Sequence, residues 1–171
     1  MPIDYELDSS GDLDGVLDSV LNDEAFTEFD SLSEVHIRVC FKVKMDGNDE
    51  LQPNSKPVET KKVPELHALF MDEPVDYIIV VDRHAWEGTS VKYKKGLVHR
   101  GLMAINVEVS SSGAVKKSTK RPDFHEFSKT LERFGTYTPE LKSVKGVLNN
   151  AAKATAARLK RINDVPPDEE I

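Results

Sequence analysis

"DYIIVVD", residues 76–82, decides the fold class. Tyr77, Ile78, Ile79, Val80 and Val81 run without the alternation that a water-facing side imposes, so they predict a strand covered on both faces. Such a strand needs neighbours, and the chain supplies them on either side. Upstream, "EVHIRVCFKVKM" (residues 34–45) alternates Val35, Ile37, Val39, Phe41 and Val43 against mostly polar residues. That period of two predicts a half-buried strand with His36 and Arg38 on its other face. "DGNDELQPNSKP" reads as a loop from its Asp, Gly, Asn and Pro content, and "PVETKKV" returns as a second, weaker strand.

Downstream of the central strand, residues 90–105 have helical spacing and a cap at Thr89 or Ser90. Their apolar arc is Tyr93, Leu97, Val98, Leu102, Ala104 and Ile105, while Lys92, Gly96, His99 and Met103 share the opposite side. "NVEVSSSGAVKKSTKR" predicts two short strands joined by a Ser/Gly turn. "DFHEFSKTLERFG" (residues 123–135) places Phe124, Phe127, Leu131 and Phe134 on one helical stripe, with Asp123 and Glu126 spaced as a capping box and Gly135 as the stop. Two amphipathic helices flank this body. The first starts near residue 10 under a Ser9 or Ser10 cap and carries Leu13, Val16, Leu17, Val20 and Leu21. The last opens at Thr138 and Pro139, runs Leu141, Val144, Leu148, Ala151, Thr155, Leu159 and Ile162 along one side, and ends in an acidic tail. The expected fold is therefore α+β, a small mixed or antiparallel sheet packed against helices, with an added C-terminal helix. Residues 1–137 form the body and residues 138–171 the helix and tail.

With 171 residues, the chain is long enough for one core. Its net charge of −7 is unevenly spread: residues 1–34 hold eleven carboxylates and no lysine or arginine, leaving nineteen acids against twenty-three bases elsewhere. An acidic arm on a weakly basic body predicts a charged partner, against the plainer reading of a solvated helix. One cysteine, Cys40, excludes an internal disulfide and a thiolate cluster. No basic start precedes an apolar run and no eighteen apolar residues are consecutive, so neither export nor membrane spanning is expected, and a cytoplasmic protein is. Glycine-rich phosphate loops, nucleophile elbows and Cys/His pairs are all missing from the sequence.

The order of elements, and the stretches "DYIIVV", Trp86, "GLVHRGLM" and "PDFHEFSKTLERFG", resemble the phage metallopeptidase family over residues 12–137. That family has an "L-x-H-E-L-x-H" helix after an apolar strand leading into a tryptophan. A third histidine directly precedes its "D-[VF]-x-E-F…R-[YFH]-G" helix. The resemblance implies a zincin-like scaffold, on which zinc needs three protein ligands, an open place for water and a carboxylate base. By the same resemblance His99 stands at the first ligand, Arg100 at the catalytic glutamate, Met103 at the second ligand and Pro122 at the third. A guanidinium repels a dication and cannot act as a base, and a thioether is a weak zinc ligand, so His99 is expected to be a remnant. His36, His67 and His84 have no ligand-spaced partner and are expected to be structural or exposed; His125 is expected to face solvent.

A non-catalytic protein-binding module follows as the expected function, with no cofactor and no metal. Its partner-facing surface is expected to be Asp12, Asp14, Asp18, Asp23, Glu24, Glu28 and Asp30, which find no cation nearby in sequence. The partner would be a host or phage protein with a basic nucleic-acid-binding groove, in the setting of inhibiting a host defence system. Two alternatives stand beside it. One is a zinc peptidase rebuilt on His99, His125 and a carboxylate. The other is direct nucleic-acid binding through Lys142, Lys145, Lys153, Arg158 and Lys160 of the last helix, weakened by the acidic balance of the chain. The small residues Ala151, Ala152, Thr155 and Ala156 would let that helix dock on the body or form a homodimer.

Overall fold

The computed structural model describes residues 3–68, 70–122, 128–135 and 142. The chain divides into two units, Met1–Gly135 and Thr136–Ile171, and all described residues but one lie in the first. Apart from Lys142, the expected last helix and its tail lie outside the described residues, as do the Asp123/Glu126 capping box and His125.

The fold is α+β. Strands β1 (Ile3–Glu6), β2 (Ile37–Lys44), β3 (Val58–Lys62) and β4 (Tyr77–Asp82) form one mixed sheet in the order β1-β2-β4-β3. β2 and β4 are parallel, from Ile37 opposite Tyr77 to Lys42 opposite Asp82, and both edge strands are antiparallel to their neighbours. The "DYIIVV" strand is central and, apart from half-buried Ile78, buried along its length, as its composition dictates. The alternation of β2 is equally plain: Val39, Phe41 and Val43 are buried while His36 and Arg38 are exposed. β1 was not anticipated. Its four residues alternate apolar and acidic and are all exposed, so only pairing to Lys44–Phe41 reveals them as an edge strand.

Helices α1 (Asp12–Leu21) and α4 (Val91–Met103) lie against the face that carries Val39, Phe41, Ile79 and Val81. α1 buries Leu13, Val16, Leu17 and Val20. Its start differs from expectation: Gly11 is the N-cap, in a left-handed conformation at φ 73°, and makes no side-chain cap bond. Asp8 does that work, accepting the Leu13 N–H at 2.7 Å and the Ser10 N–H at 2.9 Å, while the Ser10 hydroxyl donates to Asp8 at 2.6 Å and accepts the Asp12 N–H at 3.3 Å. A carboxylate four residues before the first helical residue takes precedence over the adjacent hydroxyls because it accepts several amides at once. Ser90 caps α4, accepting from Tyr93 N–H at 3.3 Å.

α4 approaches the sheet closely at Gly101, where a Cβ would lie 2.6 Å from Ile79 Cγ2. Thr60 Oγ1 donates to the Gly101 carbonyl at 2.6 Å across the same contact. Short helices α2 (Glu65–Ala68) and α3 (Arg83–Trp86) were not expected; four residues give no readable helical period. The hairpin of β5 (Ile105–Val109) and β6 (Val115–Thr119) forms its own two-stranded sheet, as its turn composition predicts. Buried Tyr77 ties it to the main sheet by donating to the Ser118 carbonyl at 2.9 Å. α5 (Ser128–Phe134) ends at Gly135, whose φ of 64° and N–H bond to the Leu131 carbonyl at 2.8 Å make it the expected stop.

Candidate functional site

His99 sits in mid-helix, on the side of α4 that sequence periodicity assigns away from the apolar arc. The structure corrects that assignment, because His99 is 0% exposed. The reason lies in two segments whose packing the sequence does not announce. A 3-10 turn, Thr27–Leu32, brings Phe29 to 4.9 Å from the imidazole between ring centroids, and Phe26 just before it to 5.3 Å. Phe134 of α5 closes a third side at 5.3 Å. All three rings meet the imidazole edge to face, so α4 is buried on two sides: one on the sheet, one on these aromatics.

Both ring nitrogens are engaged. Nε2 lies 3.1 Å from Glu28 Oε1 and Nδ1 lies 2.9 Å from Thr130 Oγ1, a hydroxyl that is itself 0% exposed. Arg133 holds the other side of the Glu28 carboxylate, with Nη2 to Oε2 at 3.2 Å, and stacks its guanidinium over Phe26 at 5.3 Å. Burial alone would raise the Glu28 pKa, but hydrogen bonds from Arg133, from its own backbone and from His99 bring it down to about 2. Burial also lowers the His99 pKa, which the Glu28 bond and charge only partly oppose. Glu28 is therefore ionised and accepts only, His99 is neutral with its proton on Nε2, and Nδ1 accepts a hydrogen bond from the Thr130 hydroxyl. Carboxylate, imidazole and hydroxyl stand in the order of a nucleophilic triad. With hydroxyl and imidazole both sealed from solvent, no substrate reaches them, and the chain acts as a buried polar link.

The other places of the metallopeptidase motif lie elsewhere. Arg100 and Pro122 line a cleft of about 280 Å³ between β3 and α4, shared with Lys56, Glu59 and Lys61, and His99 is not among its lining residues. Met103 is half-buried at the end of α4. A zinc ion needs a free imidazole lone pair, two further donors and room for water. The residues present do not fit it: the one His99 lone pair accepts from Thr130, and proline and arginine offer none. Among the described residues no three His, Cys, Asp or Glu side chains converge as a metal site. A larger groove, about 420 Å³, opens on the other face of the sheet between Tyr5, Cys40, Phe70 and Ile78, remote from His99. Burial pushes its Cys40 thiol up, away from thiolate chemistry.

The acidic residues separate into two groups. None finds a cation nearby in sequence, but Asp12 and Glu28 meet distant cations of the chain itself. Asp12 accepts Lys94 Nζ at 2.6 Å and the Trp86 indole N–H at 2.9 Å, joining α1 to α3 and α4, with Lys94 also over the Trp86 ring at 4.9 Å. Glu28 has the partners just described. These pairings arise 71 to 105 residues apart, beyond any local pattern. Asp14, Asp18, Glu24 and Asp30 are exposed and Asp23 is half-buried, accepting the Ala25 N–H at 3.0 Å. Burial, with the Asp8 and Asp18 charges, raises the Asp14 pKa, so like charges are held together there. His36, His67 and His84 are exposed.

Thr130, Arg133, Phe26 and Phe29 went unread in the sequence. The Phe26/Phe29 spacing of three was the available signal, a helical turn with one aromatic side in a segment too short for periodicity. The described residues contain no helix long and apolar enough to cross a membrane. In comparison with known families, the chain matches the model described as "Putative phage metallopeptidase" over residues 12–156, further into the C-terminal segment than the motifs alone suggested. No match was found among curated proteins or solved structures. The central strand leading to Trp86, the α4 helix carrying His99 and the α5 helix ending in "RFG" lie within the matched span, and the chain belongs to the putative phage metallopeptidase family.

Proposed function

We propose that this family member is a non-catalytic protein-binding module, acting in the cytoplasm of the phage's host. One observation carries the reading: His99, at the first-ligand place, has both nitrogens committed to Glu28 and Thr130 inside a sealed aromatic pocket. A ligand in that state is not offered to a metal, and Arg100 replaces the base that would activate water. The exposed carboxylates Asp14, Asp18, Glu24 and Asp30, with Asp23, form the face that meets the partner. Asp14, whose pKa is raised by burial and then by the Asp8 and Asp18 charges, would be relieved by a cationic partner surface, such as the basic groove of a nucleic-acid-binding defence protein. Elemental analysis and a peptidase assay on the full chain test the first half. Less than stoichiometric zinc and no cleavage of unfolded protein are expected; one zinc per chain, lost in His99→Ala, with cleavage, overturns it. For the second half, retention on a polycationic resin is compared with that of Asp14, Asp18 and Glu24 changed together to neutral amides. Loss of retention in the variant is expected, and identical salt elution of the two proteins refutes the acidic face.

A further inference from the structure

The clasp around His99 joins three segments that the backbone leaves separate. Glu28 comes from the Thr27–Leu32 turn, His99 from α4, Thr130 and Arg133 from α5. Besides the clasp, the turn is held by the packing of Phe26, Phe29 and Leu32. It is a single 3-10 segment without a side-chain cap bond, its buried residues are Phe29 and Leu32, and it leads directly from α1 to β2. α5 is likewise short, seven described residues. In a metallopeptidase the ion bridges its ligand helix to a ligand from another segment, so losing it removes a cross-link as well as a reaction.

We propose that the Arg133–Glu28–His99–Thr130 chain has taken over that bridging role, fixing the Thr27–Leu32 turn and α5 to α4 and so holding Asp23, Glu24 and Asp30 in place on the partner-facing side. The geometry suits the task. One charge-assisted pair is backed by a neutral imidazole, each member contacts the next within 3.2 Å, and no buried side-chain nitrogen or oxygen among the described residues is left without a partner. Three aromatic rings exclude water from the middle of the chain, where each hydrogen bond is worth more than at the surface. Thr130 and Glu28 are positioning residues here. They act on the turn and on α5 through His99.

The inference rests on the non-catalytic reading, and amide hydrogen exchange on the full chain separates the two, since it reads the clasp whether or not zinc binds. Thr130→Val keeps shape and removes the hydroxyl, leaving Nδ1 unsatisfied. Glu28→Gln keeps an acceptor for Nε2 and removes the charge that Arg133 requires. Thr130→Ser restores the hydroxyl. In both disrupting variants, amides of residues 27–32 and 130–134 are expected to exchange roughly tenfold or more faster, while β4 amides keep their protection and Thr130→Ser behaves as the native chain. Unchanged exchange at 27–32 in either variant overturns the proposal. So does an equal rise in β4, which would make the residues general core packing. Should Thr130→Val not fold, Glu28→Gln alone decides between these outcomes.

Discussion

Acid should weaken the fold through Glu28, and the size of the effect follows from its surroundings. In the folded chain its carboxyl pKa is brought from 4.5 to about 2 by Arg133, its own backbone N–H and His99, against the opposing effect of burial. A depressed carboxyl pKa stabilises the fold above the unfolded value and loses that contribution as pH falls through the folded one. The shift corresponds to about 3 kcal/mol at pH 7, nearly all of it still present at pH 4.5 and less than half at pH 3. The Glu28 side chain is 12% exposed, so solvent screening trims this figure only modestly. Glu28→Gln removes the titrating group while leaving an oxygen for His99. Urea unfolding at pH 7, 4.5 and 3, followed by far-UV circular dichroism, should show the native chain more stable at pH 7 by about 2–3 kcal/mol, the gap narrowing by more than half at pH 3. A gap that stays constant over this range would refute the assignment of Glu28 as an ionised, buried partner of Arg133 and His99.

Restoring the motif should not restore the metal: the triple change Arg100→Glu, Met103→His and Pro122→His is expected to leave zinc substoichiometric in dialysed protein, and tight one-to-one binding would show that the His99 hydrogen bonds yield to a metal. Gly101→Ala should destabilise by about 1–3 kcal/mol in thermal unfolding, because its Cβ meets the branched Ile79 side chain at 2.6 Å; no loss would mean that α4 stands further from the sheet. Asp12→Asn and Asp14→Asn should change stability in opposite directions, since Asp12 has Lys94 and Trp86 as partners whereas burial and the Asp8 and Asp18 charges raise the Asp14 pKa. Each change is a few tenths of a kcal/mol at these exposed sites, read best as a denaturant-midpoint shift at low salt, and equal signs would contradict the pairing.

The fold was legible where one force dominates a long segment. "DYIIVV" could only be a central strand, the β2 alternation fixed its inward face, and Gly135 ended α5 as its place after the Phe stripe required. It was illegible where elements are short or polar: β1 is an exposed edge strand, and α2, α3 and the Thr27–Leu32 turn lack the length for a period. The site was half legible. His99 was marked out by its place on the helix, but its burial depends on Phe26, Phe29 and Phe134, which meet only after the chain has folded. Periodicity counted one buried side on α4 where packing against both the sheet and the aromatics made two. For the acidic arm, local sequence showed the absence of a nearby cation and nothing about Lys94 or Arg133, which reach Asp12 and Glu28 from 82 and 105 residues away.

If His99 is a structural imidazole rather than a metal ligand, as proposed, the protonation state of its ring reports this directly. Long-range ¹H–¹⁵N correlation of the imidazole in the full chain, assigned through His99→Gln and recorded at pH 7 without and with equimolar zinc, distinguishes the two nitrogens. A neutral ring protonated on Nε2 is expected, with Nδ1 shifted by its bond from Thr130 and no change on adding zinc. Loss of the Nε2 proton, or a zinc-induced shift of either nitrogen that chelation reverses, would contradict that role.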